Sequence, residues 1–240
     1  MKLYNELAIW WPLLSPKEDY ADEAKFFRQV FTDVGLPDSP SLLELGCGGG
    51  SNAFYLKTLF ATVTLTDLSP HMLAVSHSLN PECHHIEGDM RTLRLGFQAD
   101  AVFIHDAIDY MTSPEDLLRA IETAFVHCKP GGVALFVPDH VRETFEPSTD
   151  YGGTDSPERG LRYLEWTRDP DENDCTYTTD YVYVLREGNQ PVQVENEQHT
   201  CGVFPRAEWL HLLQETGFAP KIIRDNYERD IFVAQKQPMV

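Results

Sequence analysis

The stretch that most constrains the fold is SLLELGCGGGS at residues 41–51. A run containing three leucines ends in four glycines, and Ser51 then begins a predicted helix. Glycine has no Cβ, so it permits positive φ and lets the backbone approach a ligand closely. The pattern therefore predicts a strand, a tight ligand-holding loop and a helix in succession.

Strands and helices continue to alternate as far as residue 139. The predicted strands and helices are 61–67, 70–79, 84–89, 99–106, 113–127 and 133–139, with a helix at 52–60 after the glycines and a KPGG turn at 129–132. Such a βαβα series predicts a doubly wound, Rossmann-like α/β sheet that is mostly parallel. Ligands of these sheets bind beyond the carboxyl ends of the strands, so we expect the site residues there.

The remaining segments have other patterns. Residues 1–35 contain two amphipathic stretches, the first sharing a helical face up to Pro12, and predict a helical cap. Residues 139–202 return to strand-like alternation and predict a small antiparallel insertion, within which 140–160 is a candidate mobile loop. A helix ending at Gly217 and two antiparallel strands follow. We expect one domain, with 36–138 and 203–236 as its core.

Charge and cysteine content exclude several functions. The net charge of −19 would repel phosphate backbones and anionic lipids, so a neutral or cationic small molecule is the expected partner. Five cysteines without a C-x-x-C pair argue against disulfides or a zinc knuckle and favour a reducing cytoplasm. Cys83, His84 and His85 lack a fourth ligand, so no metal is expected. A homodimer remains compatible with the sequence.

Two carboxylates define the expected ligand further. Asp67 lies 23 residues after Glu44 and follows a β-branched strand, which is typical of a residue that binds the ribose of an adenosine. A dinucleotide is the alternative, and with it an NAD-linked oxidoreductase. However, its third glycine would fall at Ser51 or Ala53, and Glu44 would face anionic phosphates. Glu44 suits an ammonium or sulfonium group, and S-adenosylmethionine carries both.

Five motifs in order resemble those of the class I S-adenosylmethionine-dependent methyltransferases. They are ELGCGGG (44–50), TDLS (66–69), GDMR (88–91), HDAIDYM (105–111) and KPGG (129–132). The resemblance implies the strand order 3-2-1-4-5-7-6 with strand seven antiparallel. The flanks, with Tyr4, DYADEA (19–24) and the segment 199–206, are similar to bacterial small-molecule N-methyltransferases, including amino-sugar and glycine N-methyltransferases.

The resemblance also implies roles for individual residues. Glu44 would lie near the methionine amino group, Asp67 would bind the ribose, and Asp89 and Met90 would frame the adenine. The full set of expected cofactor contacts is Glu44, Gly46, Cys47, Gly48, Asp67, Leu68, Asp89, Met90 and His105. The expected substrate contacts are Tyr4, Trp11, Tyr20, Tyr110 and His199.

The expected reaction is in-line methyl transfer to a nitrogen or oxygen of a small molecule. Since the methyl donor is already activated, the protein mainly aligns the reactants and excludes water. A base is needed only if the nucleophile arrives protonated, and the candidates are His105, Asp106, Tyr110 and His199. A methyltransferase-like module that binds without catalysis is the non-enzymatic alternative.

Overall fold

The computed structural model describes residues 1–238, which form two sheets and their flanking helices. The strands are β1 Ser41–Leu45, β2 Thr62–Asp67, β3 His84–Glu87, β4 Ala99–Ile104, β5 Cys128–Phe136, β6 Ser148–Gly152, β7 Arg159–Arg168, β8 Thr176–Glu187, β9 Gln193–Gly202, β10 Phe218–Arg224 and β11 Asp230–Lys236. The α-helices are α1 Trp11–Leu14, α2 Ala21–Asp33, α3 Ser51–Leu56, α4 Pro70–Leu79, α5 Pro114–His127 and α6 Arg206–Thr216.

The larger sheet has seven strands in the order β3-β2-β1-β4-β5-β11-β10. Strands β1 to β5 pair in parallel, whereas β11 is antiparallel to both β5 and β10. When the seven strands are numbered along the chain, their order is 3-2-1-4-5-7-6, as expected from the resemblance. The predicted doubly wound fold is confirmed, and so is the glycine stop of α6, since Gly217 is left-handed.

Both faces of this sheet are buried, because alternate residues of each strand point to opposite sides. In β1, Leu43 and Leu45 pack with residues of α5 and α6, whereas Leu42 packs with residues of α2 and α3. Helices on both faces leave the carboxyl ends of the strands open, and the glycine loop lies at this edge.

Element boundaries differ from the sequence prediction in two places. Helix α3 ends at Leu56 rather than at residue 60. The KPGG sequence is not a turn ahead of the strand but part of β5, where Gly131 has φ +82° and the pairing register with β4 shifts between Ala99 and Ala101. The extra residues form a bulge, so the turn-forming residues fit within the strand without ending it.

The N-terminal cap is less regular than predicted. Short 3-10 helices at Ala8–Trp10 and Lys17–Tyr20 flank α1, so the first amphipathic stretch is not one helix. Pro12 does not end a helix there. It lies in the first turn of α1, where the N–H that proline lacks would have no partner within the helix.

The segment between the core strands forms a four-stranded antiparallel sheet in the order β6-β7-β8-β9. The candidate mobile loop at 140–160 was a wrong prediction in part, because β6 lies within it and pairs along its length with β7. Leu3 and Trp10 of the cap pack against Leu161, Tyr183 and Leu185 of this sheet. Along residues 1–238, no helix is long and apolar enough to cross a membrane.

Candidate active site

A cavity of about 660 Å³ lies at the carboxyl ends of the parallel strands. Every residue that the sequence predicted for cofactor, substrate or catalysis lines it: Tyr4, Trp11, Tyr20, Glu44, Gly46, Cys47, Gly48, Asp67, Leu68, Asp89, Met90, His105, Asp106, Tyr110 and His199. The fold therefore brings these residues together, although their individual roles remain predictions.

The glycine loop forms the floor of the cavity, and close packing explains its composition. Gly46 has φ +74°, and a Cβ there would overlap the side chain of Ala107 and come within 2.8 Å of Met90 Cε. A Cβ on Gly49 would overlap the indole ring of Trp11. The loop is thus pressed between the segment after β4 and the N-terminal cap.

Asp67 fastens this loop to the end of β2. One of its oxygens accepts from the Gly48 N–H at 2.9 Å and the other from the Ser69 N–H at 2.8 Å. Burial raises the pKa of Asp67, whereas these two backbone donors act to lower it. Each carboxylate oxygen has a second lone pair, which leaves Asp67 able to accept from the hydroxyl groups of a ribose.

Glu44 is a buried carboxylate with an unsatisfied oxygen. Glu44 is 2% exposed, and its Oε2 has no hydrogen-bond partner within the described chain. Burial raises the pKa of Glu44 to about 8, against a lowering by the His105 cation. A buried carboxylate is costly unless a cation pairs with it. The ammonium group of S-adenosylmethionine would supply that cation, so Glu44 fits the expected cofactor.

The predicted adenine-binding residues have a neighbour that the sequence reasoning missed. Arg91 donates to both oxygens of Asp89, with Nη2 2.6 Å from Oδ2, and its Nη1 donates to Asp116 at 3.0 Å. The Arg91 guanidinium lowers the pKa of Asp89. Met90 contributes an apolar side chain next to Gly46. Arg91 belongs to the same GDMR motif, which was the available signal.

His105 lies between two carboxylates. Its Nε2 is 3.3 Å from Glu23 and its Nδ1 is 3.2 Å from Asp106. Burial acts to lower the pKa of His105, but the two carboxylates raise it well above its usual range. An imidazolium has no lone pair to accept a proton, so the structure does not favour His105 as the base.

Glu23 was also missed, although it belongs to the DYADEA motif. Besides His105, it accepts from Arg229 Nη2 at 2.7 Å and from Asn52 Nδ2 at 3.1 Å. Burial opposes ionisation, but the His105 and Arg229 cations hold the pKa of Glu23 at about 2. The buried ion cluster thereby joins α2 of the cap to the strand ends and to α3.

Three candidate residues form a hydrogen-bonded chain on the cavity wall. The Tyr4 and Tyr110 hydroxyl oxygens are 2.6 Å apart, and Tyr110 Oη lies 2.8 Å from His199 Nδ1. His199 Nε2 is 3.1 Å from a Glu197 oxygen, but the two atoms are not aligned for a hydrogen bond. Glu197 instead accepts a hydrogen bond from the backbone N–H of Leu3. Burial raises the pKa of both phenols, so they are neutral at physiological pH.

Two aromatic residues of the cap complete the wall. The Tyr20 hydroxyl is 2.6 Å from the Ser15 hydroxyl, and its ring lies near that of His105. Trp11 covers the glycine loop, and its ring centroid is 5.8 Å from that of Tyr4. Within residues 1–238, no group of three or more His, Cys, Asp or Glu side chains is arranged to hold a metal ion.

Comparison with known proteins agrees with this geometry. A family model described as "Methyltransferase domain" matches residues 42–132. A dTDP-3-amino-3,6-dideoxy-alpha-D-glucopyranose N,N-dimethyltransferase from Streptomyces fradiae is 27% identical over 184 residues, covering 76% of this chain and 71% of that protein.

Two solved structures are similar in fold. The sugar N-methyltransferase KedS8 from Streptoalloteichus sp ATCC 53650 has a TM-score of 0.83 at 23% identity, covering 91% of this chain and 88% of that one. CalS10, an amino pentose methyltransferase from Micromonospora echinaspora in its SAM-bound form, has a TM-score of 0.78 at 22% identity, covering 91% and 92%. Residues 42–132 therefore resemble a methyltransferase domain, and the fold of the chain is that of the class I S-adenosylmethionine-dependent methyltransferases.

Proposed function

We propose that this enzyme methylates the amino nitrogen of a small amino sugar. The relative from Streptomyces fradiae is named as an N,N-dimethyltransferase of a 3-amino-dideoxy sugar, and KedS8 and CalS10 are described as acting on sugars of related kinds. The observation that carries the proposal is the chain of Tyr4, Tyr110 and His199, which gives the cavity wall a route for the proton that an amine must lose.

The cofactor half of the cavity would be held by residues that already fit it. Glu44 would pair with the ammonium group, Asp67 would accept from the ribose, and Met90 would pack on the adenine. When bound, S-adenosylmethionine supplies an activated methyl group that is displaced in line by a nucleophile. Trp11 covers the glycine loop, and with the cap it would exclude water from this half.

Residues of the acceptor half would remove a proton from the amine. An aliphatic amine is mostly protonated near neutral pH, and its lone pair is free only after it loses that proton. The Tyr110 hydroxyl, donating to His199 Nδ1, can accept an amine N–H on its oxygen, so that a proton passes through Tyr110 to His199. Glu197, 3.1 Å from His199 Nε2, stabilises the resulting imidazolium.

A pyrophosphate cofactor fits this site poorly. Glu44 is already a buried carboxylate whose second oxygen has no partner in the described structure. An anionic phosphate nearby would disfavour its ionised form further, whereas an ammonium would satisfy it. The NAD-linked alternative is therefore not proposed.

The test is a mass-spectrometric methylation assay. The purified enzyme is given S-adenosylmethionine with dTDP-3-amino-3,6-dideoxy-glucose, with unlinked amino sugars, and with the 6-deoxy sugar that carries a hydroxyl at the same carbon. We expect products heavier by one or two methyl groups from an amino sugar and none from the hydroxyl counterpart. Methylation of the hydroxyl compound alone would contradict nitrogen transfer. Binding of S-adenosylmethionine without methylation of any amine would contradict the acceptor class.

We infer the cellular location from the cysteines and the class of partner from the net charge. All five cysteines are free within the described chain, which fits a reducing cytoplasm. The net charge of −19 favours a small-molecule acceptor without a nucleic acid or membrane partner. Fractionation of the native host would check this, with the enzyme expected among the cytoplasmic proteins.

We further propose that the enzyme forms a homodimer through the outer face of the four-stranded sheet. Tyr151, Leu164 and Val182 are neighbours in register on this face, and all are exposed. Arg168 and Asp180 on the same face pair at 3.1 Å, so the face carries little of the net charge that would repel a second copy. Light scattering should give twice the chain mass. A monomer would contradict the proposal.

A further inference from the structure

Asp106 differs from the other carboxylates that line the cavity. In residues 1–238 these are Glu44, Asp67, Asp89 and Asp106. Glu44 is fully buried, Asp67 is committed to the backbone of the glycine loop, and Asp89 is paired with Arg91. The side chain of Asp106 is 48% exposed and is not assigned to the cofactor, so it can take a partner on the acceptor side.

The neighbouring ion cluster keeps Asp106 charged. His105 Nδ1 is 3.2 Å from Asp106, and Glu23 holds the other ring nitrogen of His105 at 3.3 Å. Glu23 is in turn fixed by Arg229 and Asn52. Partial burial acts to raise the pKa of Asp106, but the His105 cation lowers it below the usual range. The carboxylate is therefore ionised and held in place.

The charge of Asp106 also acts on residues of both halves of the cavity. Burial is the largest cause that raises the pKa of Glu44 and Asp67 on the cofactor side, and the negative charge of Asp106 raises both pKa values further. It acts in the same way on Tyr4 and Tyr20 of the cap. Asp106 is therefore close to both the cofactor residues and the cap.

We propose that Asp106 anchors the acceptor amine in its ammonium form and thereby selects an amine over a hydroxyl. The inference rests on the proposed function and names the residue that recognises the acceptor nitrogen. One N–H of the ammonium donates to Asp106, while a second proton leaves through Tyr110 to His199. The nitrogen lone pair that this frees then forms the new N–C bond, and the electrons of the broken S–C bond go to sulfur. Charge-assisted hydrogen bonds to a carboxylate are about twice as strong as neutral ones.

The test compares binding of two ligands that differ in a single group. Calorimetry in the presence of S-adenosylhomocysteine measures the affinity of the amino sugar methylated in the assay above and of its hydroxyl counterpart, without turnover. We expect the wild type to prefer the amine by about tenfold or more, and Asp106→Asn to remove most of that preference. Asp106→Glu keeps the charge and should retain part of it.

Asp38→Asn is the matched control. Asp38 is an exposed residue ahead of the amino end of β1, whereas the cavity lies at the carboxyl ends of the strands, and Asp38 is not among the residues that line it. The same substitution there should leave the amine preference unchanged. Binding of S-adenosylhomocysteine by each variant shows that the site is folded.

The outcomes separate the two proposals. If Asp106→Asn keeps the full preference, or if the wild type has none, the anchoring role is wrong, while methylation of the amine by the wild type leaves the proposed function standing. If the wild type methylates no amine, the proposed function is wrong and the anchoring role with it.

Discussion

The hydroxyl oxygens of Tyr4 and Tyr110 lie 2.6 Å apart, although 106 positions separate the two residues in the chain. Tyr4 belongs to the N-terminal cap, and Tyr110 ends the 3-10 helix Asp106–Tyr110 that follows β4. The Ser69 hydroxyl donates to the backbone carbonyl of Tyr4, which ties the same segment to the end of β2. Docking of the cap therefore completes the acceptor wall.

Tyr110→Phe tests this wall. The substitution removes the oxygen that links the acceptor to His199 and leaves the ring in place. We expect kcat with an amino sugar to fall about 100-fold, within the range for the loss of a positioned acid-base group. Tyr4→Phe keeps the link between Tyr110 and His199 and should cost less. Equal kcat in the wild type and Tyr110→Phe would exclude the proton route.

Glu44 should couple cofactor binding to pH. Its pKa of about 8 means that the free enzyme holds Glu44 largely neutral below that pH, whereas an ammonium ligand requires the carboxylate. Affinity for S-adenosylmethionine should rise with pH, by up to about tenfold per unit, and level off above about 8. Calorimetry in buffers of different ionisation enthalpy should show proton release on binding. Glu44→Gln should bind more weakly and without this release, and a proton release unchanged in Glu44→Gln would assign it to another group.

Glu23→Gln should destabilise the fold. The variant leaves Arg229 and His105 without their shared carboxylate in a buried setting, at a cost of about 3 kcal/mol. Urea unfolding at neutral pH measures the loss. Glu18→Gln is the control, because Glu18 is an exposed residue of the same cap that pairs, among residues 1–238, only with Lys17. The unfolding midpoint of this variant should not move.

The sign of the accompanying pH dependence is fixed by the lowered pKa of Glu23. Its folded pKa of about 2 lies below the ordinary value of 4.5, so its stabilisation is complete above about 4.5 and is lost as the pH falls toward 2. Glu23→Gln should therefore differ most from the wild type at neutral pH and least at the acid end. A difference that grows on acidification would contradict the ion cluster.

Gly46→Ala should abolish cofactor binding by overlap rather than by backbone strain alone. The new methyl group would collide with Ala107 and Met90 inside the cavity. Gly96→Ala is the matched control, because Gly96 has the same φ of +74° but a Cβ there would meet no atom of the described residues within 4 Å. Both variants should lose roughly 1 kcal/mol of stability from the left-handed backbone. Only Gly46→Ala should lose affinity for S-adenosylmethionine, and equal loss in both would indicate strain instead.

Much of the site was predictable because its residues follow local rules. Strand ends of a parallel sheet converge on one edge, so Glu44, Asp67 and His105 could be placed together from apolar runs alone. The glycines predicted the tight loop, because the close approach of Ala107 and Trp11 leaves no room for a Cβ there. The strand order followed from the resemblance.

The features that were missed depend on contacts that no local pattern encodes. Glu23 meets His105 across 82 positions and Arg229 across 206. Nothing in the periodicity of α2 distinguishes Glu23 from a solvated acid. The cap was misjudged for a similar reason, because packing of Leu3 and Trp10 on the four-stranded sheet decides its shape more than helical spacing does.

The central claim is that the cavity holds S-adenosylmethionine with its ribose on Asp67. Titration calorimetry of the wild type and of Asp67→Ala with S-adenosylmethionine, and with NAD in parallel, measures this directly. We expect saturable binding of S-adenosylmethionine alone, weakened in Asp67→Ala by roughly 1 to 3 kcal/mol because ribose hydroxyls lose their acceptor. Equal affinity in the wild type and Asp67→Ala, or tighter binding of NAD, would contradict it.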